Sequence, residues 1–342
     1  MQELMEAFTI PVRVSTVFPP RVELTVEQYL HGVRIDTFLS RHLRNYSTFR
    51  LQRLVRAKQV QICGMTAVDD DRVREGDQVT ISLLEPPDKL LPAEDLPLEI
   101  VYEDPWMIAV NKPVGQVAHP CGNYHRGTLV NALQHHFDVQ TGIPGLLRPG
   151  VVHRLDRLTS GVTIVSKDHL ANRRLGDKFE NNKVLKTYLA LVHGRVEAEK
   201  GSVDLPIGVV PGGESFLMTT AADAVDARHA RTTFEVMERF EGYTLVKAQP
   251  RTGRMHQIRV HLASLGHPIV ADEFYGPEGP VQLGPRNYQP PPRENPLMGR
   301  QGLHAFSLRI AHPITQLPMY LEAKPAGDLT EALERLRRGE GT

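Results

Sequence analysis

A chain of 342 residues, 41% hydrophobic and 23% charged, has an ordinary globular composition and the length for two domains, or one large domain with an appendage. That excludes a wholly disordered or collagen-like chain. Forty basic residues balance forty acidic ones, yet a neutral sum leaves room for a nucleic-acid partner, because a local patch makes the electrostatic footprint.

Residues 1–20 end in Pro19-Pro20 and predict a flexible arm, without the basic start or apolar run of an export signal. Between Arg21 and Lys58 there are eight basic and three acidic residues. Apolar residues at helical spacing there (Ile35, Phe38, Leu39, then Leu51, Leu54, Val55) predict two helices whose arginines collect on the remaining surface. Ser47 is the N-cap expected for the second helix. Strand-like runs follow at 60–62 and 79–81, the latter after a Gly76-Asp77 turn. Such a basic two-helix face beside a small sheet, over residues 21–85, is either a solvated surface or a seat for nucleic acid. The Pro-rich stretch PPDKLLPAEDLP, residues 86–97, reads as a linker.

Residues 98–340 predict a mixed α+β domain. Strands are expected at 98–102, 107–110, 151–155, 162–165, 188–192, 232–236, 243–247, 303–310 and 319–323. Thr128 and Asp168 are expected to cap helices, and a further helix should span Met255–Leu265 and stop at Gly266 and Pro268. Asp328 with Glu331 offers a capping box for a last helix. Seven prolines within 276–300 predict a long surface loop. The spacing is not that of a Rossmann sheet, and no GxGxxG or GxxxxGK[ST] loop occurs, so no nucleotide cofactor is expected. Cys63 and Cys121 form no CxxC pair and point to a reducing, cytoplasmic setting. No uncharged apolar run approaches the roughly 18–20 residues of a membrane helix.

Two runs could carry chemistry. Val152–Gly161 sets Asp156 between Arg154 and Arg157, which would hold the carboxylate ionised as nucleophile or proton acceptor; the competing reading is a salt-bridged surface turn. Arg251–His261 gathers three arginines and two histidines at a helix start, where anions are favoured. His256 and His261 are not at the i, i+4 spacing of a helical metal pair, so no metal is expected.

With His153-Arg154-Leu155-Asp156, Thr159-Ser160-Gly161, Lys186-Thr187-Tyr188, the Arg251–His261 run and its continuation to Gly266-His267-Pro268 and Asp272, the chain resembles the RluA-type family of RNA pseudouridine synthases. Asn111-Lys112-Pro113, His119-Pro120 and Leu303-His304-Ala305 fit as well. Arg34-Ile35-Asp36, Phe38-Leu39, Ser47 and Gly76-Asp77 are similar to the S4 RNA-binding domain that some members carry in front. This chain departs from that pattern at Thr48, usually arginine, Lys58, usually glycine, and Cys63, usually asparagine.

The resemblance implies a largely antiparallel catalytic sheet, an isomerase needing no cofactor, and ribosomal RNA as partner in preference to transfer RNA, with the protein a monomer. It implies Asp156 as the essential carboxylate, Arg259 as its partner and Tyr188 as a stacking residue that serves as, or positions, a base. Ile258, Arg154, Arg254 and His256 would contact substrate, with Arg154 filling the space of a flipped base. In the S4-like part, Arg34, Ser47, Arg50, Arg53 and Lys58 would contact RNA. Two other readings compete: an RNA-binding module without activity, against which Asp156, Tyr188 and Arg259 stand intact, and a hydrolase or glycosidase, which needs a second carboxylate.

Overall fold

The structure is a computed structural model that describes residues 13–14, 21–43, 46–83, 91–122, 124–277, 279–280 and 297–340. The expected arm, apart from 13–14, lies outside the described residues, as do positions 84–90 of the linker region and 281–296 of the Pro-rich loop.

The chain divides into two compact units. The first gathers the described residues before Pro97 with Val130–Gly150 and Ser166–Arg173, and the second holds Pro97–Leu129, Val151–Val165 and the described residues from Arg174 onward. The amino-terminal elements are β1 (Arg13–Val14), β2 (Arg21–Thr25), α1 (Ile35–His42), α2 (Thr48–Arg56), β3 (Val60–Ile62), β4 (Met65–Thr66) and β5 (Gln78–Ser82). Their strands form one sheet in the order β1-β2-β5-β3-β4. Both helices form where the apolar spacing places them, and Ile35, Phe38, Leu39, Leu51 and Leu54 are fully buried in one core with the sheet. Ser47 caps α2, its hydroxyl accepting the Arg50 backbone N–H at 3.2 Å.

Lys58 and Cys63 both adopt the left-handed region, at φ 60° and 48°. These are the two positions where the S4 pattern has glycine and asparagine, residues that enter that region at little cost. In this chain both turns are made with side chains that strain them.

The chain continues through β6 (Ile100–Glu103), β7 (Met107–Lys112), α3 (Leu129–Thr141), β8 (Gly150–Val151), β9 (Ser160–Ser166), α4 (His169–Glu180) and β10 (Leu185–His193). Then come β11 (Lys200–Asp204), β12 (Ile207–Val209), β13 (Met218–Thr219), β14 (Val225–Arg228), β15 (Arg231–Phe240), β16 (Tyr243–Pro250) and α5 (Gln257–Ser264). The last are β17 (Tyr275–Gly276), β18 (Gly279–Pro280), β19 (Leu303–Ala311), β20 (Pro318–Glu322) and α6 (Gly327–Arg337). The large sheet follows the order β11-β15-β16-β10-β19-β9-β7-β6, with β20 beside β19. It is mainly antiparallel, as expected, with β9 and β19 parallel to each other.

Gly161 makes that parallel contact possible. At φ +121° it lies so close to β19 that a Cβ would sit 2.2 Å from the Ala305 carbonyl oxygen. Ala190, Val192, Val246 and Ala248 of the sheet bury Ile258 and Leu262 of α5.

Three local expectations are corrected. The strand expected at 151–155 is limited to Gly150–Val151, because the His153 ring, instead of a strand partner, takes the Ile164 backbone N–H at 2.9 Å. The helix expected from Met255 starts at Gln257, since His256 is left-handed at φ 54° and ψ 19°; Leu265, its expected last residue, is the C-cap and is 41% exposed. The capping box at Asp328 does not form: α6 starts at Gly327, and Arg300 engages the Asp328 carboxylate through two bonds of 2.7 Å. The Asp168 cap does form, its carboxylate accepting the Ala171 N–H at 2.7 Å.

The strained turn at Lys58 gives a test. Lys58→Gly should stabilise the protein by about 1 kcal/mol, the relief of one left-handed residue less the added chain entropy of glycine. A rise in the urea midpoint checks this; a fall would mean that the lysine side chain contributes more than the strain costs.

Candidate active site

The loop carrying Asp156 is fixed from several directions. His153 stacks on Phe179 with ring centroids 4.3 Å apart, and burial, with the Lys186 charge adding to it, pushes the imidazole down to about 3. It stays neutral, so Nε2 is free to accept from Ile164. The Thr159 N–H donates to the Asp156 carbonyl at 3.0 Å, while the Gln301 amide holds the Thr159 hydroxyl at 2.7 Å. Buried Lys112 donates to the carbonyls of Pro113, Gln116 and Arg157 at 2.9, 3.0 and 3.4 Å. Ser160 and His304, from the parallel strands, are hydrogen-bonded at 2.9 Å.

Arg259, on α5, supplies the charge. Its Nε and Nη2 donate to the two oxygens of buried Asp272 at 2.7 and 2.8 Å. The remaining Nη1 donates to Asp156 Oδ2 at 2.9 Å. Asp272 also accepts the backbone N–H groups of Phe274 and Tyr275 at 2.9 and 3.0 Å. The guanidinium is thus oriented by one carboxylate and presented to the other. Burial acts to raise the Asp156 carboxyl, but the Arg259 charge, with the nearby His256 ring and the hydrogen bonds from Arg259 and Gln301, outweighs it and holds it below the usual range. The flanking arginines expected to do this make their contacts elsewhere: Arg154 reaches the Met255 sulfur at 4.0 Å, and Arg157 lies over the Tyr124 ring.

Around Asp156 opens a cavity of about 310 Å³ lined by Arg154, Lys186, Tyr188, Arg254, His256, Ile258 and Arg259, among others. The expected catalytic and substrate-contacting residues therefore come together in one place. A bulge between Thr187 and Tyr188, where β10 meets β19, shifts the pleat just where Tyr188 enters the cavity. Burial first, and the Asp156 charge second, push the Tyr188 hydroxyl far up, so it is a neutral phenol at physiological pH. Ile258 is buried at the cavity wall, and Arg254 is tied to the His229 carbonyl at 3.1 Å. Lys186 donates to the Thr252 carbonyl at 2.9 Å and is pushed down to about 8 by burial.

The five S4-like candidates are not brought together in the same way. Ser47 is used in the α2 cap. Arg50 donates to the Gly145 and Leu146 carbonyls at 2.6 and 3.3 Å and lies over the Tyr46 ring. Arg34 pairs with Asp36 and Asp70, both at 3.3 Å. Arg53 is half-buried and Lys58 exposed. Among the described residues no helix is long and apolar enough to cross a membrane.

Sequence reasoning quoted Asp272 within a motif but gave it no role, and it passed over Gln301 and Tyr275. Asp272 lies on a loop 13 positions past Arg259, and Gln301 is 142 positions past Thr159, so no helical or strand period links either pair.

Comparison with known proteins agrees with this geometry. Residues 107–264 match a family model described as RNA pseudouridylate synthase. The chain is 36% identical to an uncharacterized RNA pseudouridine synthase of Bacillus subtilis over 93% of this chain and 99% of that protein. It is also 36% identical to a ribosomal large subunit pseudouridine synthase D of Nitrosomonas europaea, over 92% of this chain and 88% of that one. Among solved structures it is similar to human RNA Pseudouridylate Synthase Domain Containing 4, at 26% identity and a TM-score of 0.54, over 70% of this chain and 93% of that one.

The two carboxylates on Arg259 should differ sharply in their effect on stability. Asp272→Ala leaves a 2% exposed guanidinium without its bidentate partner and should cost about 3–5 kcal/mol. Asp156→Ala removes a 32% exposed side chain and should cost about 1 kcal/mol or less. Urea unfolding of both variants measures the difference, and equal losses would contradict the division of labour.

Proposed function

Because the chain belongs to the RNA pseudouridine synthase family, an isomerase family, we propose that it converts uridines of ribosomal RNA to pseudouridine with Asp156 as the essential carboxylate. The observation that carries this is the ionised Asp156 carboxylate facing a nucleotide-sized cavity, paired with a guanidinium that Asp272 holds in place. The reaction breaks the N1–C1′ bond and joins C5 to C1′. No atom is gained or lost, so the reading calls for no metal, redox cofactor or nucleotide.

Asp156 either attacks C1′ or takes the C2′ proton, and both need it charged, which the Arg259 pairing supplies. Tyr188 stacks on the uracil from one face and Ile258 presses on the other. Being a neutral phenol, Tyr188 takes part in removal of the C5 proton by passing its own proton onward or by positioning the acceptor. The target uridine is flipped out of its stack, and exposed Arg154 fills the space it leaves. Arg254 and His256 line the nucleotide's seat.

In this reading residues 21–85 form an S4-like RNA-binding domain, 86–97 a linker and 98–340 the catalytic domain. Arg34, Ser47, Arg50, Arg53 and Lys58 belong to that domain's RNA surface, with Lys58, the exposed one, the most direct phosphate contact. Two supports favour ribosomal RNA: the domain itself, and relatives from Nitrosomonas europaea and Vibrio parahaemolyticus whose names specify the ribosomal large subunit. The enzyme works as a monomer in the cytoplasm.

Asp156→Asn keeps size and hydrogen bonding and removes the charge, so it should fold, bind RNA and form no pseudouridine. Appreciable product from the purified variant on ribosomal RNA would move the carboxylate elsewhere. Wild-type activity should have no acidic limb down to about pH 5, because a depressed carboxyl stays ionised until the pH falls through its folded-state value.

Tyr188→Phe keeps the stacking ring and loses the hydroxyl. Single-turnover rates should fall by about 100- to 10,000-fold, the range of general acid–base contributions. A loss within a few-fold, with Tyr188→Leu far worse, would leave stacking as the sole role.

A further inference from the structure

Three features of the site converge on His256, which lines the nucleotide's seat. His256 enters α5 in the left-handed region, at φ 54° and ψ 19°, a strained backbone that sets its ring against the cavity wall. Its Nδ1 lies 2.8 Å from the Tyr275 hydroxyl, and its Nε2 lies 3.9 Å from Asp156 Oδ2. The Tyr275 oxygen already accepts the backbone N–H of Met218 at 3.0 Å.

Among the described residues, His256 Nδ1 is the other hydrogen-bond partner of that hydroxyl, so the phenol's own proton points to Nδ1. An imidazole whose Nδ1 accepts carries its proton on Nε2. The opposite end of the ring agrees: an N–H facing a carboxylate is attracted, whereas a lone pair there is repelled. Arg259, Arg154, Asp156 and Asp272 are the charged groups acting on the ring; burial first, then the Arg259 charge, pushes the imidazole down to about 4. Tyr275 is itself buried, with its ring 5.2 Å from the Arg259 guanidinium, so it cannot swing away.

We propose that Tyr275 is a positioning residue that locks His256 in the neutral Nε2–H form, so that His256 donates a hydrogen bond to an oxygen next to C1′ of the target nucleotide. This rests on the pseudouridine synthase reading. Asp156 addresses C1′ or C2′, and a donor 3.9 Å from its carboxylate reaches the oxygens beside those carbons: uracil O2 or the 2′-hydroxyl. Negative charge appears on uracil as N1 leaves C1′, and a neutral donor stabilises it without transferring a proton.

The tautomer is read directly by ¹⁵N NMR of the full-length protein with labelled histidine. Wild type should show His256 protonated on Nε2 alone from pH 5 to 8, and Tyr275→Phe should show a tautomer mixture. A wild-type Nδ1–H signal overturns the proposal whether or not the protein makes pseudouridine; absence of pseudouridine beside the Nε2–H signal would instead sink the reaction it serves.

Kinetics separate positioning from mere packing. Tyr275→Phe should lower kcat by about tenfold or more with KM within twofold, the loss of roughly one hydrogen bond made in the transition state. In His256→Gln, whose amide donor has no tautomers to choose between, adding Tyr275→Phe should change the remaining rate by less than about twofold. Equal losses in both backgrounds would make Tyr275 merely structural. The acceptor is found with RNAs carrying 2-thiouridine or a 2′-deoxy target: the substitution whose penalty disappears in His256→Ala marks the contacted oxygen. Unchanged penalties for both would overturn the contact.

Discussion

A guanidinium buried to 2% exposure is costly unless its charge is matched, and Arg259 is matched twice, by carboxylates of opposite character. Asp272 is fully buried and accepts two guanidinium and two backbone N–H groups, so its lone pairs are spent on structure. Asp156 receives one N–H of that guanidinium and keeps about a third of its side chain exposed. The asymmetry makes one carboxylate the support and leaves the other available as the reagent of the proposed reaction. It also argues against Asp272 as the second acid of a glycosidase: its side chain is fully buried and held by Arg259 on both oxygens.

The backbone around this ion pair is fixed by groups that replace ordinary sheet hydrogen bonds. His153 takes a strand N–H, which turns the chain out of the pleat three residues before Asp156. Gly161 then lets the chain return to the sheet against Ala305 at a distance no side chain permits. Between them, Lys112 gathers carbonyls from two loops. The loop carrying Asp156 is thus irregular in conformation but not loosely held, which is the rigidity that the proposed role of its carboxylate needs.

Much of this was legible in the sequence wherever a periodic pattern or a contiguous motif carried it. The spacing of Ile35, Phe38 and Leu39, and of Leu51, Leu54 and Val55, foretold α1 and α2 and their buried faces. The motif runs named Asp156, Tyr188 and Arg259, which the structure gathers around one cavity. What stayed hidden were features set by distant partners. Arg300 draws Asp328 away from a capping role, the His256 backbone delays the start of α5, and His153 ends a strand early. The basic stretch 21–58 shows the limit of counting charge. Arg34 and Arg56 pair with aspartates and Arg50 serves backbone carbonyls, so the charge that a partner could meet is smaller than the sequence total.

The knot at Asp272 also acts as insulation. It ties Arg259, Phe274 and Tyr275 to one carboxylate just before the Pro-rich run, and Arg300 secures the chain again on the far side through Asp328. The described residues on either side of that run are thus each held by an aspartate–arginine pair. A change of length or sequence between the two anchors would therefore have to break one of these aspartate–arginine pairs before it reached Asp156.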